Sequence, residues 1–250
     1  MPIQIDWHQR FKQQAVWTQN IREHLASILS FEDVTSILEV GCGTGVITDW
    51  LQKIHCREIF GLDIIFENLS IARSYDNKTV FTCSDVYSIP FLDHSFDVSL
   101  FHYFLLWIND PINALNEIKR ITKKGGLIVA LAEPDYGGRI DYPDELNKIG
   151  DAQTQALIDA GADPLLGRKL GHLFNSAGLT DVHVGLLGGE WHNPPSIEER
   201  NMEWSVIMHD VHEQIGKVEI QKLRKIDNRS WESRERILFV PTFYAWGKND

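Results

Sequence analysis

The chain has 250 residues, of which 43% are hydrophobic, and a formal net charge of -11. This length suits one α/β domain with a full core and falls short of two ordinary domains. The negative charge argues against nucleic acid as a partner, because non-specific binding depends on Lys and Arg neutralising phosphates. No stretch approaches the roughly 20 apolar residues that span a bilayer, so we expect no membrane partner and a cytoplasmic protein, either a monomer or a homodimer.

The three cysteines, Cys42, Cys56 and Cys83, are an odd number without a paired C-x-x-C spacing. Neither a disulfide framework nor a zinc cluster is therefore indicated. We expect free buried thiols and no bound metal.

The first predicted element is a polar stretch from Asp6 to Leu29, in which aromatic and aliphatic residues recur at three- and four-residue steps. This period predicts an amphipathic helical segment ahead of the first strand. We assign residues 1–33 to an N-terminal helical cap.

Residues 36–45, with the sequence SILEVGCGTG, form the segment around which the rest is organised. Their apolar residues predict a buried strand, and glycines at alternate positions let the backbone turn sharply and approach a ligand closely. Apolar residues from Val46 to Leu51 then follow at helical spacing. Strand, glycine loop and helix together predict a nucleotide-binding unit, with the ligand at the helix N-terminus.

The type of nucleotide is indicated by Glu39 and Val46. A dinucleotide fingerprint has a third glycine where Val46 stands, and its pyrophosphate would lie close to the Glu39 carboxylate. An acidic residue ahead of Gly41, Gly43 and Gly45 suits a ligand that carries a cationic group and no phosphate. In these residues the chain resembles the class I S-adenosylmethionine-dependent methyltransferases, whose first motif is an acidic residue followed by this glycine triplet.

A second predicted strand, residues 58–63, ends in Asp63. A carboxylate at that end is placed to accept hydrogen bonds from the two ribose hydroxyls of an adenosine. The resemblance implies that Asp63 and Ile64 contact the cofactor. After the third predicted strand it implies that Asp85 holds the adenine amino group and that Val86 lies beside the ring. The alternative for Asp85 is an aspartate that caps the following turn.

The fourth predicted strand ends near His102, in an aromatic-rich stretch at an edge where open α/β sheets bind ligands. Aromatic faces stabilise cations such as a sulfonium. We therefore assign Phe101 to the cofactor, Tyr103 to the substrate and His102 as the candidate catalytic base, with core packing as the alternative. The resemblance also implies that Gln14 and Trp17 of the cap lie against the methionine end of the cofactor, although Trp17 has the alternative of packing on the sheet.

A polar loop, residues 133–139, follows the fifth predicted strand and reaches the same edge of the sheet. Loops in that position carry specificity, so Tyr136 and Arg139, with the acidic residues before them, are candidates to orient a substrate. Ordinary turn chemistry is the alternative. Further along, His209 and His212 share one helix face. A metal is not indicated without a third ligand, and we assign His209 to the substrate.

The pattern as a whole predicts an α/β, Rossmann-like fold: a seven-stranded, mostly parallel sheet with helices on both faces and helical lid insertions. The resemblance implies the strand order 3-2-1-4-5-7-6, with the last strand antiparallel. We assign the whole chain to a single domain, with a cofactor-binding core at residues 34–187, a lid insertion at 188–235 and the final strand within 236–250.

The resemblance implies S-adenosylmethionine as cofactor and in-line transfer of its methyl group to an oxygen, nitrogen or carbon atom of an unidentified small-molecule substrate. Because a sulfonium already carries a good leaving group, the protein can act mainly by holding the nucleophile and the methyl group in line. Two alternatives stay open. One is an NAD-dependent oxidoreductase, which Glu39 and the missing third glycine disfavour, and the other is a non-catalytic adenosyl-ligand binding module.

Overall fold

A computed structural model describes residues 5–29, 33–54, 58–189, 191 and 194–250. The α-helices of this part are α1 (Trp7–Trp17), α2 (Gln19–Ile28), α3 (Val46–Ile54), α4 (Phe66–Tyr75), α5 (Pro111–Ile121), α6 (Asn147–Asp159), α7 (Leu170–Ser176), α8 (Ile197–Asp210) and α9 (Lys217–Glu232). The strands are β1 (Ser36–Val40), β2 (Glu58–Asp63), β3 (Val80–Cys83), β4 (Phe96–His102), β5 (Thr122–Pro134), β6 (Ile140–Tyr142), β7 (Thr180–Leu186), β8 (Ile237–Phe239) and β9 (Thr242–Lys248).

The large sheet has the order β3-β2-β1-β4-β5-β9-β7, and the short strands β6 and β8 pair with each other in a separate sheet. Strand β9 is antiparallel to both of its neighbours, whereas the remaining pairs are parallel. When β6 and β8 are left out of the numbering, this order is the predicted 3-2-1-4-5-7-6. The predicted fold class is confirmed, including the antiparallel last strand.

Helices cover both faces of this sheet, and the core is divided accordingly. All five residues of β1 are buried, as expected for a parallel strand covered on both sides. On one face, α5 and α7 pack through residues such as Leu115 and Phe174. On the other face, α2 and α3 pack through residues such as Leu25 and Leu51. The carboxyl ends of the strands are thereby held as a rigid edge.

The predicted N-terminal helical segment consists of two helices, α1 and α2, that meet at Thr18. The side chain of Asp6 caps α1 by accepting a hydrogen bond from the amide of Gln9 at 3.1 Å. The Thr18 hydroxyl donates to the carbonyl of Gln14 at 3.2 Å and accepts from Arg22 at 2.8 Å. These contacts fix the direction change between the two helices.

A lid made of α6, α8 and α9 has a hydrophobic cluster of its own, which includes Leu146, Ile149, Trp204, Ile207 and Leu223. Helix α8 begins with a capping box, in which the side chains of Ser196 and Glu199 bond each other's backbone amides. The lid faces the carboxyl end of the large sheet across a cavity described below.

The prediction that the three cysteines are free and buried is wrong for one of them, and another of them lies outside the described residues. Cys42 is buried, but Cys83 is exposed because it ends the edge strand β3. Cys56 lies outside the described residues. Within the described ranges, no group of three or more His, Cys, Asp or Glu side chains is arranged to hold a metal, and no helix has the length and apolar character needed to cross a membrane.

Candidate functional site

The glycine loop between β1 and α3 adopts a backbone that requires glycine. Gly41, Gly43 and Gly45 have φ values of 71°, 51° and 80°, in the left-handed region that other residues rarely adopt. A Cβ atom at Gly41 would lie 2.3 Å from the Phe104 ring, and one at Gly43 would lie 3.1 Å from the Phe11 ring. The loop is therefore closely approached by two aromatic side chains at the edge of the sheet.

Two carboxylates lie beside this loop. Glu39 is 2% exposed, and its Oε2 atom has no hydrogen-bond partner. Burial, and next the negative charge of Asp63, raise the pKa of Glu39 well above its ordinary value. Asp63 accepts hydrogen bonds from the amides of Gly43 and Ile65, both at 2.8 Å. A buried carboxylate oxygen without a partner, next to a second carboxylate, suits a cationic ligand and opposes a pyrophosphate.

S-Adenosylmethionine meets this requirement, because its methionine end carries a sulfonium and an ammonium group. Glu39 and the loop amides would hold that end, and Asp63 would hold the ribose. NAD, in contrast, would place its pyrophosphate against the unpaired oxygen of Glu39.

The predicted adenine contacts have different surroundings. Ile64 is exposed and free to pack against a ring, whereas Val86 is buried in the core. Asp85 is exposed, and its Oδ1 atom accepts a hydrogen bond from the amide of Tyr87 at 3.0 Å. The turn-capping alternative is therefore present in the structure, and the adenine contact of Asp85 stays a prediction.

The assignment of Phe101 to the cofactor needs correction. Its side chain is 0% exposed, and its ring packs against Phe104 and Phe174 at centroid distances of 5.8 Å and 6.4 Å. A ligand could reach this ring only after the core had opened. Core packing, the alternative for this residue, is what the structure shows.

His102 lies at the end of β4, under the N-terminal helices. Its Nε2 atom is 2.8 Å from the Thr18 hydroxyl, and the tautomer decides which group donates. Burial, together with the nearby positive charge of Arg22, lowers the pKa of His102 to about 3. An imidazole that is neutral and already hydrogen-bonded is a weak general base, so the geometry argues against the predicted catalytic role.

One face of helix α1 covers the glycine loop. The sequence predicted this helix but did not predict which of its residues contact the loop. Nδ1 of His8 lies 2.8 Å from the hydroxyl of Thr44 in the loop, and Phe11 lies over Gly43. Thr18 continues this face to the end of β4. The three- and four-residue period of the sequence marks this face of the helix, but not the element that it covers.

The next face of α1 contacts the lid. Arg10 forms an ion pair with Glu203 of α8, and the side chain of Gln13 donates to the carbonyl of Glu199 at 3.4 Å. The Arg10 guanidinium also lies 4.6 Å from the ring centre of Trp17. One helix therefore contacts both the glycine-loop edge of the sheet and the lid.

A cavity of about 790 Å³ lies between α1, the lid and the ends of β5 and β9. Three predicted substrate residues, Tyr103, Tyr136 and Arg139, line it, and so does Trp17, which we had predicted to contact the cofactor. This volume is in the range of sites for drug-sized molecules. The structure thus brings the residues of two loops and the cap to one concave site.

Two predicted residues do not line this cavity. His209 lies exposed on the outer side of α8, with its ring edge-on to Trp7 at 6.3 Å. The side chain of Gln14 is also outside the cavity lining. The assignment of His209 to the substrate is not supported by this position, because the cavity face of α8 carries Glu203 and Ile207 instead.

The aromatic hydroxyls at the sheet end of the cavity are hydrogen-bond donors at neutral pH. Burial raises the pKa of both Tyr103 and Tyr136 above the ordinary tyrosine value. Tyr103 has a φ of 51°, and its amide donates to the carbonyl of Ala132 at 2.8 Å. A non-glycine residue held in this conformation at a strand end is often part of a functional site.

The acidic residues of the loop after β5 have structural partners. Glu133 accepts hydrogen bonds from the amides of Phe104 and Leu105 at 2.9 Å, which orders the aromatic stretch; burial raises the pKa of Glu133 to about 7. The Asp135 carboxylate accepts two hydrogen bonds from the Arg168 guanidinium, from Nε at 2.5 Å and from Nη2 at 2.8 Å. Glu133 and Asp135 therefore order the backbone and side chains next to the cavity, as the alternative of ordinary turn chemistry predicted.

Comparisons with known proteins agree with this geometry. Residues 38–130 match the family model described as a methyltransferase domain. An uncharacterized methyltransferase of Schizosaccharomyces pombe is 34% identical over 147 residues, which cover 54% of this chain and 52% of the relative. A mouse protein, the mitochondrial arginine-hydroxylase NDUFAF5, is 28% identical over 154 residues, covering 61% and 44%. The chain thus spans about half the length of these curated relatives.

Among solved structures, an S-adenosylmethionine-dependent methyltransferase of Thermotoga maritima, described as a possible histamine N-methyltransferase, superposes with a TM-score of 0.59 at 16% identity. The match covers 98% of this chain and 95% of the other. Together these findings confirm the predicted resemblance for residues 38–130 and the fold, and they agree with S-adenosylmethionine as the cofactor.

Proposed function

Because residues 38–130 form a domain of the class I S-adenosylmethionine-dependent methyltransferase family, we propose that the chain methylates a small molecule bound in the cavity beside α1. The observation that carries this proposal is the buried, unpaired Oε2 atom of Glu39 next to Asp63 at the glycine loop. These carboxylates favour a cationic cofactor, and the cavity beyond α1 supplies room for an acceptor.

When bound, S-adenosylmethionine supplies a methyl group on a positively charged sulfur. Transfer would join the acceptor's lone pair to that methyl group and leave the electron pair of the carbon–sulfur bond on sulfur, and the acceptor's proton would pass to solvent after transfer. The chain contributes mainly by holding the acceptor in line and by excluding water. Tyr103 and Tyr136 donate hydrogen bonds to the acceptor, and α1 closes the cofactor edge.

The surroundings of His102 bear on which kind of acceptor atom the site can methylate. With its Nε2 atom bonded to Thr18 and its pKa lowered to about 3, His102 does not supply a strong base. An acceptor that needs none, such as an aromatic amine, suits the site better than an aliphatic alcohol.

The test is a calorimetric titration of the protein with S-adenosylmethionine, S-adenosylhomocysteine and NAD, followed by an assay of homocysteine release with candidate acceptors. We expect micromolar binding of the two adenosyl ligands and no binding of NAD. Binding of NAD alone would overturn the proposal in favour of an oxidoreductase. Since one relative is named a hydroxylase, the turnover assay must detect methyl transfer itself.

The Glu39→Gln variant makes this test specific to the carboxyl ends of the strands, where Glu39 lies beside the glycine loop. Loss of a charged hydrogen-bond partner costs about 1.5–3 kcal/mol, so we expect S-adenosylhomocysteine to bind at least about tenfold more weakly. Glu58→Gln is the matched control, because Glu58 is an exposed residue of the same sheet. Equal affinity of the folded Glu39→Gln variant would remove Glu39 from the site.

The affinity should also depend on pH. Because the pKa of Glu39 is raised, acid keeps this carboxyl neutral, and a cationic ligand favours its ionised form. S-Adenosylhomocysteine should therefore bind more tightly as the pH rises, with release of a proton from Glu39, and this dependence should be weaker in Glu39→Gln.

A further inference from the structure

The cavity beside α1 is richer in positive than in negative side chains, although the whole chain has a formal net charge of -11. Among the described residues, its lining includes five cationic side chains and three carboxylates. The cations are Arg10, Lys12, Arg139, Arg200 and Arg236, and the carboxylates are Glu199, Glu203 and Asp227. A concave surface lined by one sign of charge concentrates ligands of the opposite sign.

Two of the cations are held in buried ion pairs. Arg236 donates to Asp141 at 2.6 Å and to Asp227 at 2.8 Å. Arg139 also donates to Asp141, at 2.5 Å. Because removing one partner would leave a buried charge alone, these arginines are not available to a ligand.

The carboxylates that α8 contributes to the cavity are also engaged. Glu203 forms an ion pair with Arg10 of α1. Glu199 belongs to the capping box at the start of α8, where its carboxylate accepts a hydrogen bond from the amide of Ser196 at 2.7 Å. The two acidic neighbours of Arg200 on this helix therefore have other partners.

Arg200 and Lys12 are left without a carboxylate partner within the part of the chain that the structure describes. Arg200 lines the cavity, and its buried Nε atom has no hydrogen-bond partner. Lys12 is exposed, with its Nζ atom 5.2 Å from the ring centre of Tyr75. A guanidinium stays charged at any physiological pH, and a buried donor without an acceptor costs free energy. Arg200 therefore offers a binding position for an anion.

Exposed aromatic side chains of the same cavity provide a surface for the rest of a ligand. Trp17 and Trp191 line it and are 50% and 41% exposed. The Arg10 guanidinium lies 4.6 Å from the ring centre of Trp17 and pairs with Glu203. Since Glu203 follows Arg200 by one turn of α8, this ring and the unpaired cation belong to one wall. Rigid aromatic side chains bury large areas against flat ligands.

Resting on the proposed function, we propose that the methyl acceptor is an anion. Its carboxylate binds Arg200, and its aromatic or extended apolar body lies against Trp17 and Trp191. A carboxylate accepts two parallel hydrogen bonds from one guanidinium, which gives the Nε atom the acceptor that it lacks. Lys12 adds attraction at longer range. This assigns a substrate class to the cavity and leaves the methylated atom open.

The test compares three molecules with one ring system: 2-naphthoate, which is anionic, 2-naphthamide, which is its neutral isostere, and 2-naphthylmethylammonium, which is cationic. Binding of each is titrated in the presence of saturating S-adenosylhomocysteine. We expect 2-naphthoate to bind at least about tenfold more tightly than the amide, because its hydrogen bonds to Arg200 are charge-assisted. Equal affinities, a preference for the amide or the ammonium, or no binding of 2-naphthoate would overturn the inference.

Variants of Arg200 test the charge argument directly. In Arg200→Gln the affinity for 2-naphthoate should fall at least about tenfold, to that of 2-naphthamide, whose own affinity should change less than about twofold. Arg200→Lys keeps the charge without the planar fork and should retain part of the preference. Arg229→Gln is the matched control, because Arg229 is an exposed residue of α9 outside the cavity lining. Equal losses for the anion and the amide in Arg200→Gln would indicate a packing role and contradict the proposal.

S-Adenosylhomocysteine also carries a carboxylate, so its affinity is measured in the same variants. We expect its Kd in Arg200→Gln to stay within about twofold of wild type. A loss of about tenfold or more would assign Arg200 to the cofactor and overturn the inference.

The same samples separate this inference from the proposed function. If S-adenosylhomocysteine binds but the naphthalene series shows no preference for the anion, only the acceptor class is wrong. If S-adenosylhomocysteine does not bind the wild-type protein, the proposed function itself fails.

Discussion

The cofactor edge and the acceptor cavity are built in different ways. The cofactor edge is made by consecutive elements, β1, the glycine loop and the end of β2, and its geometry is a property of the backbone. The cavity is made by side chains from distant parts of the chain, such as Arg10 of α1 and Glu203 of α8. A site made by the backbone of consecutive elements can be recognised from a short sequence motif, whereas a site made by side chains from distant parts of the chain cannot.

Helix α1 joins the two regions. His8 and Phe11 contact the glycine loop, whereas Arg10 and Gln13 contact the lid. Changes in the loop should therefore affect cofactor binding and folding most strongly, and changes on the lid side of α1 should affect the acceptor alone. The predictions below test this division.

The largest effect is expected from Gly41→Ala. A left-handed alanine costs roughly 1–2 kcal/mol, and crowding against Phe104, 2.3 Å from the new Cβ, adds about 1–3 kcal/mol. We expect the free energy of unfolding to fall by about 3 kcal/mol and the cofactor affinity to be lost. Chemical denaturation and calorimetry measure the two quantities.

Gly125→Ala is the matched control for this substitution. Gly125 has a φ of 74°, and a Cβ there would meet nothing within 4 Å. Its variant should lose only about 1 kcal/mol and keep its cofactor affinity. Equal losses in the two variants would show that backbone strain, rather than the close approach of Phe104, decides the need for glycine at position 41.

An intermediate effect, confined to the acceptor, is expected from Arg10→Gln. This change leaves Glu203 without its ion-pair partner and loosens α8 against α1. The KM for the acceptor should rise about tenfold, while the dissociation constant of S-adenosylhomocysteine should stay within about twofold. Lys225→Gln, on the exposed side of α9, serves as control. A matching loss of cofactor affinity would contradict the division between the two faces of α1.

The smallest effect is expected from His102→Gln. Between the ordinary histidine pKa of 6.5 and the lowered pKa of about 3, the unfolded chain binds a proton that the folded chain does not, so stability falls as the pH drops through this window. The variant should lose stability less steeply between pH 6.5 and pH 4, as measured by thermal unfolding. Its turnover should stay within about threefold of wild type, and a large loss would restore His102 as a base.

The sequence was sufficient to predict the sheet and the cofactor edge, because glycines and carboxylates at strand ends have fixed positions relative to the backbone. Glu39, Gly41, Gly43, Gly45 and Asp63 all lie at that edge. The strand order came from the resemblance rather than from periodicity, because periodicity marks strands but not their neighbours.

Residues beyond this edge were harder to assign. Phe101 is buried because α7 supplies Phe174 against it, and no local pattern reveals that contact. The same limit applies to His8 and Arg10, since a helical period shows which residues share a face but not what the face covers. Tyr103, Tyr136 and Arg139 were found because they follow strand ends.

Hydrogen exchange with and without S-adenosylhomocysteine tests most directly whether α1 is shared by the two regions. Exchange reports the local opening of hydrogen-bonded segments. The account predicts that the ligand slows exchange in α1 and α8 together with the glycine loop. Protection confined to the loop and the end of β2, with α1 unchanged, would contradict it.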